Sequence, residues 1–403
     1  MPTSQNANNK DVVPRDTMRI CFVLNSVLSR HASMKRAFGM APYLIERGRS
    51  VTFCLEDAEE NRRAVAQIVG CEALWYHQGS LWQERSAKRR LLSSRDFDIV
   101  HFCGLGWRNA LIPRLDFRGV GVMDHMELES VSRAEQLPRR AMQYLLEWGA
   151  LLMFTHTVVV SRYLERMFTS RLAHLGVKRS ILYLPFAANR VALESRPAVS
   201  STADTGEIAK RRVVFLGKFY ANYGLREILL ALERLSYVRK DWTATLLGNG
   251  PLYSEMTEFI VSKGLSDRIF LPGFKTGTDL EAYLQAADVF VSPMTDTPID
   301  WARCPGKIFI YMMFQKPIVT CKIGENYEAL GEDGYYYEPQ DVDSMVAAIG
   351  GALDAARSFV AHYDVTRFTW ESRATTYLGW LASVHPLAGT GPQRHKTSRI
   401  CNI

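Results

Sequence analysis

Four consecutive residues, Cys304-Pro305-Gly306-Lys307, have the types and spacing of an anion site. They follow an apolar run that ends at Ser292-Pro293 and a polar loop, and they open a stretch that reads as a helix. Proline suits a first helical turn, whose N–H groups have no acceptor inside the helix. Those N–H groups and the positive end of the helix dipole attract negative charge, Lys307 adds a cation, and a diphosphate is the natural guest. A proline-capped helix carrying a solvated lysine fits the same four residues.

Other segments offer chemistry of their own. In Gly248-Asn249-Gly250 the glycines permit positive φ and a close backbone approach, although a plain turn asks for no more. Asp124-His125-Met126-Glu127 sets an imidazole among two acids at the end of an apolar run, suited to holding a polar ligand and equally to a structural role. Gly104-Leu105-Gly106 begins a dinucleotide-type pattern, but Asn109 stands where the third glycine belongs, and the oxidoreductase reading is set aside. The seven cysteines are scattered, with no Cys-x-x-Cys pair to suggest zinc or a redox dithiol. Cys21 and Cys54 sit in apolar runs, where a free thiol packs as a small hydrophobe.

The elements that position these residues alternate in type. Ile20–Leu24 and Val51–Leu55 read as buried strands separated by a helix from Ser33 to Arg47, a βαβ unit. Strands are expected at 99–102, 120–123, 157–160 and 181–184, and again at 213–216, 243–247, 269–271, 289–291 and 318–320. Helices are expected at 224–239, 253–263, 343–359 and 371–384. Residues 196–210, rich in Pro, Ser, Thr, Gly and charge, read as an interdomain linker. The expected fold is therefore α/β, with two open parallel sheets. Ligands bind such sheets beyond the carboxyl ends of the strands.

The run from Ser292 to Thr320 resembles the donor-site segment of retaining glycosyltransferases of family four, a group with the GT-B architecture. The matching positions are Pro305, Lys307, Phe309, Tyr311-Met312 and Lys316-Pro317. Phe215-Leu216-Gly217-Lys218 resembles the family's Gly-Lys turn, and Leu247-Gly248-Asn249-Gly250-Pro251 its Gly-x-Gly-Pro loop. Val122-Met123-Asp124-His125-Met126-Glu127-Leu128 resembles its Asp-x-His-Glu segment, and Phe368-Thr369-Trp370 its Phe-Ser-Trp segment. The resemblance implies two Rossmann-like domains facing a central cleft. It divides the chain into a tail (1–18), an acceptor domain (19–194), a linker (195–211), a nucleotide-sugar donor domain (212–367), a helix returning to the first domain (368–385) and a second tail (386–403).

The roles it implies are specific. Lys218 and Lys307, with Gly217, Gly248, Asn249, Gly250, Pro305 and Gly306, hold the donor; His125 contacts the transferred sugar, oriented by Asp124 and Glu127. The glutamate that grips the ribose hydroxyls falls on Ile310, which accepts no hydrogen bond, and its upstream partner falls near Ala302. Asp296 and Asp300 are the candidates to replace them. A second family lysine falls on Tyr223. Glu325 reads as a rim carboxylate or a helix cap, and Asn25–His31 as the acceptor-side loop.

Composition narrows the rest. Forty-seven per cent apolar residues over 403 residues suit two or three globular domains. The net charge of +7 fits an anionic ligand, and no nucleic-acid motif accompanies it. Arg85, Lys88, Arg89, Arg90 and Arg95 cluster on one expected helix, which suits either a solvated face or peripheral contact with an anionic membrane. Met1–Asp16 is polar, unlike a signal peptide, and Leu145–Val160 is interrupted by polar residues. The expectation is a cytoplasmic enzyme, free or peripheral at the inner membrane face. Its partners are a nucleotide-sugar donor and a carbohydrate or lipid-linked acceptor, with no cofactor and no metal. Two alternatives stand beside it: a catalytically degenerate binding or scaffold protein of the same fold, and a nucleotide-sugar epimerase.

Overall fold

Short runs of branched and aromatic residues alternate with amphipathic stretches, and the computed structural model folds them into two sheets. It describes residues 17–27, 32–105, 119–132, 137–190 and 210–385. The first sheet comprises β1 (Arg19–Val23), β2 (Ser50–Glu56), β3 (Glu72–Tyr76), β4 (Ile99–Cys103), β5 (Val120–His125), β6 (His156–Val159) and β7 (Ser180–Tyr183), in the order β3-β2-β1-β4-β5-β6-β7. The second comprises β8 (Arg211–Leu216), β9 (Trp242–Leu247), β10 (Ile269–Phe270), β11 (Val289–Ser292), β12 (Ile318–Thr320) and β13 (Tyr335–Tyr336), in the order β10-β9-β8-β11-β12-β13. The pairs β1–β2, β1–β4, β8–β9 and β8–β11 are parallel.

Burial on both faces explains the uninterrupted apolar strands. Ile20 to Val23 in β1 and every residue of β4 are buried. In the second sheet Val213, Phe215, Leu246, Val289, Val291 and Val319 share one core with the helix Leu225–Val238. That helix presents Leu225, Ile228, Leu229, Leu232 and Leu235 at the spacing of a single apolar stripe.

The chain divides into two compact units. The described residues within Met1–Asp124, Trp148–Val158 and Ala374–Ile403 form one, and those within His125–Glu147 and Val159–Arg373 form the other. The expected domains place 159–190 with the first sheet. In the second unit the helix Arg162–His174 packs against the helices Pro298–Ala302 and Gly324–Leu330, which accounts for the difference. Residues 1–16 and 386–403 of the expected tails, residues 191–209, Gly106, Asn109 and residues 28–31 lie outside the described residues.

Two strands escaped the pattern reading. β3 reads Glu-Ala-Leu-Trp-Tyr and β13 is two tyrosines, both too polar to stand out as buried runs. The first helix starts at Ala32, one residue before the expected Ser33.

Candidate active site

In the second sheet the chain steps outward from β8 through β9 to β10, then crosses back to β11 on the other side. The crevice beyond the carboxyl ends of β8 and β11 is thus the topological switch point, where open α/β sheets receive ligands. Gly217 and Lys218 follow β8; Pro293 to Asp296 follow β11.

The helix Gly306–Met313 is aimed by its own spacing. Lys307 and Tyr311 lie four residues apart and share a face. Buried Tyr311 stacks on Phe290 of β11, with centroids 4.3 Å apart, and its hydroxyl accepts the N–H of Leu216 at 2.7 Å. Lys307 on the same face reaches the next turn of chain. Its Nζ lies 4.0 Å from the centroid of the Phe215 ring, and a Cβ built on Gly217 would sit 3.4 Å from it. The ammonium is buried with no hydrogen-bond acceptor among the described residues. Burial, and then the neighbouring charge of Arg303, hold its pKa well below the ordinary lysine value. Lys307 is therefore not the solvated lysine of the simpler reading. Pro305 is the N-cap rather than the first helical residue, and its side chain leaves the helix start uncapped.

The glycine loops act through their backbones. Gly217 N–H donates to Leu247 O and Phe219 N–H to Asn249 O, both at 2.9 Å. A Cβ on Gly248 would fall 1.8 Å from Gly217 O, and one on Gly250 would fall 2.6 Å from Phe219 O. Only glycine allows the loops after β8 and β9 to lie this close. Asn249 is exposed, and its Oδ1 accepts from the Gly250 N–H at 2.8 Å. Lys218 is exposed.

Asp300 is buried and already engaged. It accepts from the N–H of Thr295 and, at 2.8 Å, from the Thr295 hydroxyl, while Arg303 Nε lies 2.7 Å from its Oδ1. Those contacts hold the loop in front of the helix, and they speak against Asp300 as the replacement ribose ligand. Asp296 is exposed and accepts from the Trp301 indole at 2.7 Å. Ile310 is half-buried, and buried Ala302 gives its carbonyl to Ser161 Oγ at 2.7 Å.

Sequence reasoning passed over Arg303. Its guanidinium lies 5.2 Å from the centroid of the Tyr223 ring, while Lys307 Nζ lies 5.9 Å from the same centroid. Burial raises the Tyr223 pKa; Arg303 opposes that, and the Glu127 charge adds to it. Glu127 thus faces the electrostatic field of this cluster. The signal available in the sequence was a second cation four residues before Lys307.

Glu325 is a cap, but of a helix other than its own. It accepts the Arg162 N–H at 2.8 Å, at the start of Arg162–His174, and the Tyr183 hydroxyl at 2.6 Å. Burial pushes its pKa up to about 7.

At the end of β5 the expected triplet separates. Successive strand residues point to opposite faces. The Asp124 carboxylate meets Arg36 Nη1 at 2.7 Å and His101 Nε2 at 3.3 Å. His101 Nδ1 in turn meets the Tyr377 hydroxyl at 2.8 Å, and all four side chains are buried. His125 is also buried, with its ring edge-on to Phe168 at 4.7 Å.

The basic cluster is smaller than it reads. Lys88 is fully buried, 2.9 Å from Glu84 and 2.7 Å from Asn25 Oδ1, and burial lowers its pKa to about 7. Arg95 pairs with Glu72, leaving Arg85, Arg89 and Arg90 on the outer face. Among the described residues no helix is long and apolar enough to cross a membrane, and no group of acidic, histidine and cysteine side chains is arranged to hold a metal ion.

Residues 210–355 match the family model described as glycosyl transferases group 1. Over 204 residues the chain is 23% identical to 2-deoxystreptamine glucosyltransferase of Streptomyces kanamyceticus, an alignment covering 48% of each protein. The match thus spans about half the length of that curated relative. Among solved structures, Anabaena HepE in complex with UDP-glucose superposes with a TM-score of 0.69 at 14% identity, covering 91% of this chain and 100% of that one. Sucrose-phosphate synthase of Thermosynechococcus elongatus gives 0.68 at 16% identity, covering 91% and 99%. The pneumococcal O-GlcNAc transferase GtfA, with UDP and GlcNAc, gives 0.67 at 9% identity, covering 93% and 100%. At these identities the likeness shows the fold: a two-domain, Rossmann-like GT-B fold.

Proposed function

We propose that this chain is a glycosyltransferase that moves a sugar from a nucleoside-diphosphate donor to a hydroxyl acceptor, with retention, in polysaccharide or glycoconjugate biosynthesis. The observation that carries the reading is the buried, unpaired ammonium of Lys307 beside Gly217, at the switch point of the second sheet. A desolvated cation without an acceptor is costly unless a ligand supplies the countercharge. The match of residues 210–355 to the glycosyl transferase model, and the UDP-sugar of a structure with the same fold, support a nucleoside diphosphate as that ligand.

Chemistry follows from charge. As the bond from the sugar to the diphosphate breaks, negative charge grows on the departing phosphate. Lys307, Lys218 and the N–H groups opening the Gly306–Met313 helix stabilise it in place, which is where preorganised dipoles and cations are most effective. These protein cations take the part a metal ion plays elsewhere. Retention follows if the departing phosphate oxygen accepts the acceptor's proton on the same face of the sugar. Gly217, Gly248, Asn249 and Gly250 shape the floor of the phosphate seat, and Pro305 fixes the direction of helix entry. His125 and Glu127 are proposed to face the sugar, while Asp124 supports the strand that carries them. Asp296, exposed in the loop after β11, remains the carboxylate proposed for the ribose hydroxyls in place of Ile310. The acceptor is a carbohydrate or lipid-linked hydroxyl.

Release of nucleoside diphosphate from UDP-, ADP-, GDP- and dTDP-sugars tests the reading. Turnover by the unmodified protein, reduced about 10- to 100-fold in Lys307→Ala, is expected from the loss of one charge-assisted contact. Tight nucleotide binding with no turnover of any donor would favour the degenerate binding protein, for which the isoleucine at position 310 speaks.

A further inference from the structure

We infer that Arg303 is a further cation of the phosphate seat, and that with Lys307 it selects a diphosphate over a monophosphate. The inference rests on the reading of that seat as a nucleotide site, and it names which part of the nucleotide the seat measures.

Arg303 stands in the short segment between the helices Pro298–Ala302 and Gly306–Met313, with only 17% of its side chain exposed. Three contacts fix it. Nε lies 2.7 Å from Asp300 Oδ1, Nη2 lies 3.7 Å from Met294 Sδ, and the guanidinium faces the Tyr223 ring at 5.2 Å. Nε, although close to Asp300, is buried without a hydrogen-bond partner among the described residues. Lys307 approaches the same Tyr223 ring. Two cations therefore share one aromatic ring, and Asp300, which faces Arg303, is the carboxylate beside them.

That arrangement places two basic groups in a poorly hydrated place. Each cation destabilises the other when the seat is empty, so an anion that meets both is favoured over one that meets either alone. A pyrophosphate has two phosphoryl groups and can engage both; a monophosphate engages one. The planar guanidinium, ion-paired with Asp300, has donors to offer a phosphate oxygen in a fork that a lysine does not reproduce. Tyr223 occupies the place where the resembling family carries a lysine, and Arg303 restores a positive charge over its ring.

The experiment is calorimetric titration of the full chain with UDP, ADP, GDP and dTDP, followed by the monophosphate of the tightest binder. Wild type, Arg303→Gln, Arg303→Lys and Lys307→Met are compared, with the unliganded melting curve of each recorded. Diphosphate affinity is expected to fall at least tenfold in Arg303→Gln, with the monophosphate changed by less than about threefold; Arg303→Lys recovers part of the loss. An equal loss for mono- and diphosphate overturns the selectivity, and an unchanged diphosphate affinity in a folded Arg303→Gln overturns the assignment while leaving the seat at Lys307 standing. Should Arg303→Gln not fold, the melting curve shows it and Arg303→Lys decides: undiminished discrimination in that variant counts against the guanidinium. No binding of any nucleoside diphosphate by wild type removes the nucleotide seat itself, and the inference with it.

Discussion

The ammonium of Lys307 lies 4.0 Å from the ring centroid of Phe215, two residues ahead of the turn at Gly217. An aromatic face stabilises a desolvated cation only modestly, by about 0.5 to 2 kcal/mol. The side chain is held there by the packing of its helix, through Tyr311 on Phe290 and on the Leu216 N–H.

Replacing this lysine should improve the empty protein and impair the occupied one. Lys307→Met removes a buried, unpaired amine and keeps a side chain of similar length, so the unliganded melting temperature is expected to rise by a few degrees. Stabilisation by nucleoside diphosphate should vanish in the same variant. Parallel thermal melts check both signs, and a lower melting temperature in the variant would show that the amine is well paired in the empty state.

Diphosphate binding should also move protons. Burial keeps the Lys307 pKa low in the empty site, and an anion at Nζ raises it. Between the depressed value and the restored one, binding takes up a proton, and affinity weakens as pH rises. Titration in buffers of different ionisation enthalpy measures the uptake. The wild type should show it and Lys307→Met should not.

The close approach of the two glycine loops predicts a severe backbone effect. Gly248→Ala places a methyl group 1.8 Å from Gly217 O. The loops after β8 and β9 must separate, at an expected cost of about 2 to 4 kcal/mol, with loss of nucleotide binding. Denaturant unfolding and titration are the measurements. A variant with unchanged stability would mean the loops part easily.

Glu325 predicts a pH-dependent stability. Its pKa is about 7 in the folded state, above its ordinary value of 4.5. A raised pKa means that the folded chain favours the protonated form. The stabilisation is full below the unfolded value and is lost as pH rises through about 7, on the order of 3 kcal/mol in all. Glu325→Gln, which keeps an acceptor for the Arg162 N–H, should flatten the stability profile between pH 4.5 and 7. An identical profile in the variant would assign the dependence to other groups.

Much of the fold was legible because buried parallel strands write uninterrupted apolar runs. β1, β4, β8 and β12 were readable for that reason, whereas β3 and β13, with Glu72 and paired tyrosines, were not. The proposed phosphate seat was half legible. Proline, glycine and lysine at a helix start mark an anion site, but the burial of Lys307 depends on Tyr311 and Phe215, residues brought together only by the fold. The pairing of Arg303 with Asp300 carried no local pattern, and Lys88 read as surface charge although its helix turns it inward. The contacts of Asp124 with Arg36 and His101 join residues far apart in sequence, and no local pattern announces them.

The most direct test of the central claim is a crystal structure of the chain with its tightest-binding nucleoside diphosphate. The account predicts a phosphate oxygen within about 3 Å of Lys307 Nζ, with the nucleotide lying across the carboxyl ends of β8 and β11. A diphosphate bound elsewhere, with the Lys307 ammonium still packed on Phe215 and meeting no anion, would contradict it.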